Sequence, residues 1–156
     1  MSNLTFREVD ADEVTAVKAQ FKRFIDDEVI PAESVLGQQD EAAAKMLDSL
    51  KSRAKEAGLW ALGHPEEIGG GGLPFLAFAE MNEVIGRSHY GQVAVGSVSM
   101  QDSIMLHLYG NDAQKERWLR PLVDGEIYPS VGLTEPEVAG SDPTLMQTSA
   151  QLDGDE

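Results

Sequence analysis

The sequence predicts a mainly α protein: a helical domain over residues 1–125, followed by a segment, 126–156, that opens a β-domain. Three observations predict it. Apolar residues recur at helical spacing from Val14 to Leu122. Residues that start and stop helices punctuate those runs. From Ile127 the pattern changes to short, β-prone alternation.

Asp10-Ala11-Asp12-Glu13 reads as a capping box, with Asp10 as cap and Glu13 reaching back to it. Val14, Val17, Phe21, Phe24, Ile25 and Val29 then share one face, and Pro31 is expected to end that helix. After Gly37-Gln38-Gln39 a second helix opens at Asp40. It carries Ala43, Met46, Leu47, Leu50, Ala54 and Ala57, and Gly58 is its C-terminal cap. Leu59 to Leu73 contains four successive glycines, Gly69 to Gly72, and reads as a loop.

A third helix starts near Pro74, which suits a first turn, and presents Phe75, Phe78, Met81, Val84 and Ile85. A fourth runs from Gly91 to Gly110 with Ala94, Val95, Val98, Ile104, Met105 and Leu108. Asn111 and Gln114 form another capping box, ahead of a short helix with Trp118, Leu119 and Leu122 that Pro121 interrupts. Residues 127–133 and 146–152 read as two strands, with a hairpin turn at 153–156. Two strands do not make a stable sheet by themselves, so a β-domain is expected to continue past this sequence. Phe21, Phe78, Met81, Val98 and Met105 are more apolar positions than a small bundle buries, and some exposed apolar surface is expected.

Composition narrows the function. The formal net charge of -15 disfavours nucleic acid and anionic membrane surfaces, because both are bound through Lys and Arg. From Pro121 onward there are eight acids and no Lys or Arg. Most of these acids read as solvated surface. No apolar run is long enough for a membrane span. The first eight residues lack the basic start and apolar stretch of a signal peptide. Cysteine is absent, which excludes disulfides and thiolate metal sites. These features fit a cytoplasmic protein.

Several motifs have a structural reading of their own. The glycine run lacks the Gly-Lys-Ser/Thr end of a phosphate-binding loop and reads as a tight structural loop. His64, His89 and His107 are scattered, without metal-ligand spacing. Ser141 is not in a nucleophile elbow. Trp60, Trp118 and the phenylalanines read as core. On the residues alone, Thr134 and Ser141 are ordinary turn-capping hydroxyls.

Val131-Gly132-Leu133-Thr134-Glu135-Pro136-Glu137-Val138-Ala139-Gly140-Ser141-Asp142-Pro143 carries more information than any other stretch. It resembles the Thr-Glu-Pro…Gly-Ser-Asp signature of the FAD-dependent acyl-CoA dehydrogenases. Three residues separate Pro136 from Gly140, where many family members have two. Gly58-Leu59 with Pro65-Glu66-Glu67-Ile68-Gly69-Gly70-Gly71-Gly72 is similar to the family's Gly-Leu…Pro-Glu-Glu-x-Gly-Gly-x-Gly loop. Gly110-Asn111-Asp112-Ala113-Gln114-Lys115-Glu116-Arg117-Trp118-Leu119-Arg120-Pro121-Leu122 and Gly125-Glu126 resemble two further family segments, in the family's order.

The resemblance implies an N-terminal helical domain of acyl-CoA dehydrogenase type, followed by the first strands of a middle β-barrel domain. It implies FAD as cofactor and α,β-desaturation of an acyl-CoA substrate. It also implies an electron-transfer acceptor for the reduced flavin and a homo-oligomer. Val131, Leu133 and Thr134 are implied to line the flavin ring. Gly140 and Ser141 are implied to approach the FAD pyrophosphate, with Ser141 also meeting the substrate's CoA arm. No catalytic residue is assigned in these 156 residues, since the family's base lies further along its chain, and activity of the chain alone is not expected. Other readings on the same fold are an acyl-CoA oxidase, a flavin monooxygenase, and a short subunit or helical interaction module that completes a partner's flavin site.

Overall fold

The computed structural model describes residues 4–154. Eight α-helical segments make up most of its regular structure: α1 (Ala11–Phe24), α2 (Ile30–Leu36), α3 (Glu41–Glu56), α4 (Phe75–Ile85), α5 (Gly91–Ala94), α6 (Met100–Tyr109), α7 (Asp112–Gln114) and α8 (Arg120–Asp124). The expected turn at 153–156 falls partly outside the described residues, as do the first three residues of the amino-terminal segment.

The caps act largely as their residue types dictate. The Asp10 carboxylate accepts from the Glu13 N–H at 2.8 Å, but Glu13 pairs with Arg7 instead of reaching back. Asp40 accepts from the Ala43 N–H at 2.9 Å. Asn111 and Gln114 form a complete capping box. At the end of α3, Gly58 takes φ 69°. The Leu59 N–H donates to the Ala54 carbonyl at 2.8 Å and the Gly58 N–H to Lys55 at 3.1 Å. That pair of bonds is the Schellman ending, and it points Leu59 into the core beside Ala54.

Pro31 does not end the first helix. A π-helical segment, Ile25–Val29, joins α1 to α2, and the Ile30 N–H donates to Ile25, five residues back. The wider turn removes the clash between the proline ring and the preceding turn of carbonyls, so the helix continues. Pro121 repeats the device. A second π segment, Lys115–Leu119, precedes α8, and the Arg120 N–H donates to Lys115. The inserted residue also rotates the helix faces that follow it. Leu119 is therefore buried, while Trp118, expected in the core, is 40% exposed under the Arg117 guanidinium.

The main core gathers Phe21, Phe24, Ile25 and Val29 from the first helix, Leu50 and Ala54 from α3, Phe78, Met81 and Ile85 from α4, and Val95. A smaller cluster joins Ala61, Leu119 and Val123, with Trp60 packed against both. The expected apolar surface is present, though at only some of the expected positions: Phe21, Phe78 and Met81 are buried, whereas Val98 and Met105 are exposed. Phe75 and Leu76 also stand in solvent, in the first turn of α4. The fourth expected helix is two, α5 and α6, because Gly96 turns the chain at φ 70° against the Trp60 indole.

Among the described residues there is no strand. The two strands expected at 127–133 and 146–152 lack regular structure. A strand is stable only when neighbours take up its backbone N–H and C=O groups and cover one face, and these two segments have no such neighbours. No described helix is long and apolar enough to cross a membrane.

Candidate functional site

The segment that carries the candidate site leaves the helical domain at Gly125, where three side chains fix the departure. Trp60 Nε1 donates to the Val123 carbonyl at 2.9 Å. Lys55 Nζ donates to Asp124 at 2.8 Å and Lys51 Nζ to Gly125 at 2.9 Å. These are the carbonyls that the end of α8 leaves without a helical partner, and two cations there also suit the negative end of a helix. Gly125 adopts φ 74°, and a Cβ on it would lie 2.6 Å from the Trp60 ring. Lys51 also sits 4.9 Å from the centre of the Tyr128 ring.

Beyond this anchor the chain forms a loop containing every residue singled out for flavin contact. Val131, Leu133, Thr134 and Ser141 are exposed, and Gly140 is half-buried. A Cβ on Gly140 would have the Leu133 carbonyl oxygen as its nearest neighbour, at 4.0 Å. The structure thus brings Leu133 and Gly140 together from the two halves of the loop. Among the hydrogen bonds of the described residues, none uses the Thr134 or Ser141 hydroxyls, or the N–H groups of Leu133, Thr134, Gly140 and Ser141. The turn-capping role expected of those hydroxyls on composition alone falls instead to two carboxylates.

Asp142 accepts from the Thr144 hydroxyl at 2.6 Å and the Thr144 N–H at 3.0 Å, capping a single 3-10 turn, Pro143–Leu145. Glu135 accepts from the Thr148 hydroxyl, from the Thr148 N–H at 2.7 Å and from the Gln147 N–H at 2.9 Å. The Thr148 hydroxyl first, then the two N–H groups, hold the Glu135 carboxyl below the usual carboxylate range. The Thr144 hydroxyl does the same for Asp142. Both acids belong to the run that reads as plain surface in the sequence. For Asp142 the available signal was Thr144 two residues on; Glu135, thirteen residues from Thr148, carried none.

The donor set fits an uncharged or singly negative ring edge well: N–H groups, hydroxyls and a glycine that permits close approach. It offers a diphosphate no cation, since no Lys or Arg occurs from Pro121 onward. An open cavity of about 330 Å³ lies elsewhere, lined by Glu67, Ile68, Lys115, Leu119, Arg120 and Asp124 among others. None of the residues singled out for flavin contact lines it.

The glycine run is the tight loop its composition suggests. Gly71 and Leu73 donate to Ala61 and Leu62 at 3.1 and 2.8 Å, folding the run back onto residues 61–64. His64 lies fully buried beneath it with Nε2 3.1 Å from the Ser99 hydroxyl. Its Nδ1 has no hydrogen-bond partner. Burial pushes the imidazole down to about 4, so the ring is neutral at pH 7. Among the described residues no group of His, Asp and Glu is placed to hold a metal ion.

The comparisons with known proteins agree with this architecture. The family model for the acyl-CoA dehydrogenase N-terminal domain matches residues 11–126. The chain belongs to the acyl-CoA dehydrogenase family. It is 36% identical over 148 residues to (2S)-methylsuccinyl-CoA dehydrogenase of Cereibacter sphaeroides, covering 93% of this chain and 26% of that protein. It is 33% identical over 150 residues to human acyl-CoA dehydrogenase family member 11, covering 89% of this chain and 19% of that protein. A solved structure from Mycobacterium abscessus, assigned to the acyl-CoA dehydrogenases, superposes with a TM-score of 0.80 at 35% identity. That match covers 96% of this chain and 40% of the other. The chain thus spans 26% and 19% of the length of the two enzymes from Cereibacter sphaeroides and human.

Proposed function

We propose that this chain provides the helical wall and the cofactor loop of an FAD-dependent acyl-CoA dehydrogenase that desaturates an acyl-CoA thioester between its α and β carbons. The observation that carries this reading is the loop around Leu133 and Gly140, where the N–H groups of Leu133, Thr134, Gly140 and Ser141 and the Thr134 and Ser141 hydroxyls have no partner among the described residues. Bound there, FAD supplies the ring that accepts hydride. The Leu133 and Thr134 N–H groups and the Thr134 hydroxyl donate to the ring edge, and Val131 offers it an apolar neighbour. Gly140 admits the phosphate arm closely, and Ser141 donates to that arm or to the CoA thioester. The loop itself supplies no cation for the phosphates, so these, like the proton-abstracting base, are left to residues outside the loop. The reading also calls for an electron acceptor as a partner and for assembly as a homo-oligomer.

The electrostatics give a direct test. A charge-assisted contact to phosphate is roughly twice as strong as a neutral one, and the loop has only neutral donors. The 156-residue chain is expected to bind FAD weakly, reversibly and without dehydrogenase activity. Purification with excess FAD followed by a visible spectrum checks this; a stoichiometric yellow protein would refute the electrostatic argument. In a titration, Ser141→Ala is expected to weaken FAD by about 1 kcal/mol, the size of one ordinary hydrogen bond. Thr134→Ala is expected to shift the flavin spectrum more than the affinity. Wild-type constants and spectra in both variants would remove these residues from the site.

A further inference from the structure

We propose that Glu135 is a positioning residue that closes the neck of the cofactor loop and holds Thr134 and Ser141 in register for one ligand. The inference rests on the flavin reading above and deepens it. Glu135 follows Thr134 directly, so its backbone belongs to the arm that enters the loop. Its carboxylate takes the N–H groups of Gln147 and Thr148 and the Thr148 hydroxyl, all on the arm that leaves. Among the described residues, no backbone hydrogen bond joins residues 131–135 to residues 146–152. The backbone bonds within the loop are local, from Asp142 to Ala139, Leu145 to Asp142 and Met146 to Pro143. One side chain therefore does what a strand ladder does in a hairpin.

The geometry also explains why an acid is needed. Two N–H donors and a hydroxyl converge on two oxygens, and an ionised carboxylate is the side chain that accepts all three without offering a hydrogen of its own. With the neck closed, Gly140 returns to the Leu133 carbonyl, and the free donors of both arms meet one ligand. With the neck open, the arms separate and each donor must be ordered anew on binding, which weakens affinity without removing any ligand contact. Glu135 is fully engaged in this role, so it is not the base of the reaction.

The test is amide NMR of the isotopically labelled chain, with FAD added to millimolar concentration as the probe. In wild type, the Gln147 and Thr148 amides are expected to be protected from exchange and shifted downfield, and FAD to move the Thr134 and Ser141 amides with one common affinity. In Glu135→Ala that protection is lost, and FAD affinity falls about tenfold through lost preorganisation. Glu135→Gln, which keeps an acceptor oxygen, recovers part of both effects. Thr148→Val loosens the neck from the other side. The helical core's melting temperature is expected to stay unchanged in all three, because the clamp lies outside it. Unchanged Gln147 and Thr148 amides in Glu135→Ala would overturn the clamp whatever FAD does. An open neck with unchanged FAD affinity would overturn the positioning role while leaving the flavin reading intact. Absence of any FAD-induced shift at Thr134 and Ser141 in wild type would overturn the flavin reading and the positioning role with it.

Discussion

Gly70→Ala is expected to lower the melting temperature sharply. A Cβ on Gly70 would lie 2.2 Å from the His64 carbonyl oxygen and 2.3 Å from the His64 Cβ. The obstacle is mostly backbone, so a rotamer change does not relieve it. That carbonyl also accepts from the Gly72 N–H at 2.9 Å, and the Gly70 N–H donates to Pro65 at 3.0 Å. Relieving the overlap breaks one or both bonds and lifts the loop off His64. Overpacking of this kind costs on the order of 3 kcal/mol, which for a chain this long lowers the melting temperature by about 6–12 °C. Gly132→Ala is the control. Its Cβ meets nothing within 4 Å, and its melting curve is expected to overlay wild type. A Gly70→Ala curve that also overlays wild type would show that the glycine run is a flexible tether and not a packed loop.

The same run shows how far the sequence could be read. Four glycines identify a loop, and the missing Lys and Ser/Thr exclude a phosphate cradle, but composition does not say what the glycines make room for. The answer depends on His64, which is brought beneath them by the fold and bonds to Ser99, the residue that precedes α6. The helices, their caps and most of their core faces were legible because each rests on local spacing: Asp40, Asn111 and Gly58 do what those residue types do anywhere. Pro31 and Pro121 misled because a proline normally stops a helix. Whether a π turn forms ahead of it is decided by packing against other elements, and no local signal announces it.

Residues 126–154 were the least legible part. Alternating residues at 127–133 and 146–152 have strand propensity, but strand formation needs partners that these segments lack in the structure. The candidate residues Thr134, Gly140 and Ser141 were legible by identity and spacing. What holds them together was not. A glutamate beside a proline gives no hint that its carboxylate will reach two amides twelve and thirteen residues away.

Stability of the helical domain is expected to fall steeply between pH 6.5 and 4, and His64 is the reason. Its ring is buried, and burial pushes it down to about 4 from an ordinary value of 6.5. In the unfolded chain the imidazole gains its proton as pH falls through 6.5; in the folded chain it stays neutral until about 4. The unfolded state therefore binds more protons across this window, and stability rises with pH through it. The contribution is fully present above 6.5, declines as pH falls and is gone below 4. A shift of this size corresponds to about 3 kcal/mol. Glu67, Glu83, Glu135, Asp26 and Asp142 are held below their ordinary carboxylate values and act in the same direction, but at lower pH. Urea unfolding at pH 7, 6, 5 and 4.5 thus isolates the histidine. His64→Gln keeps a polar side chain near Ser99 and removes the titration. Its stability at pH 7 is expected to be lower than wild type, yet nearly level down to pH 5. If wild type and His64→Gln lose stability in parallel over that range, the titrating group lies elsewhere, and the buried ring plays no part in the acid response.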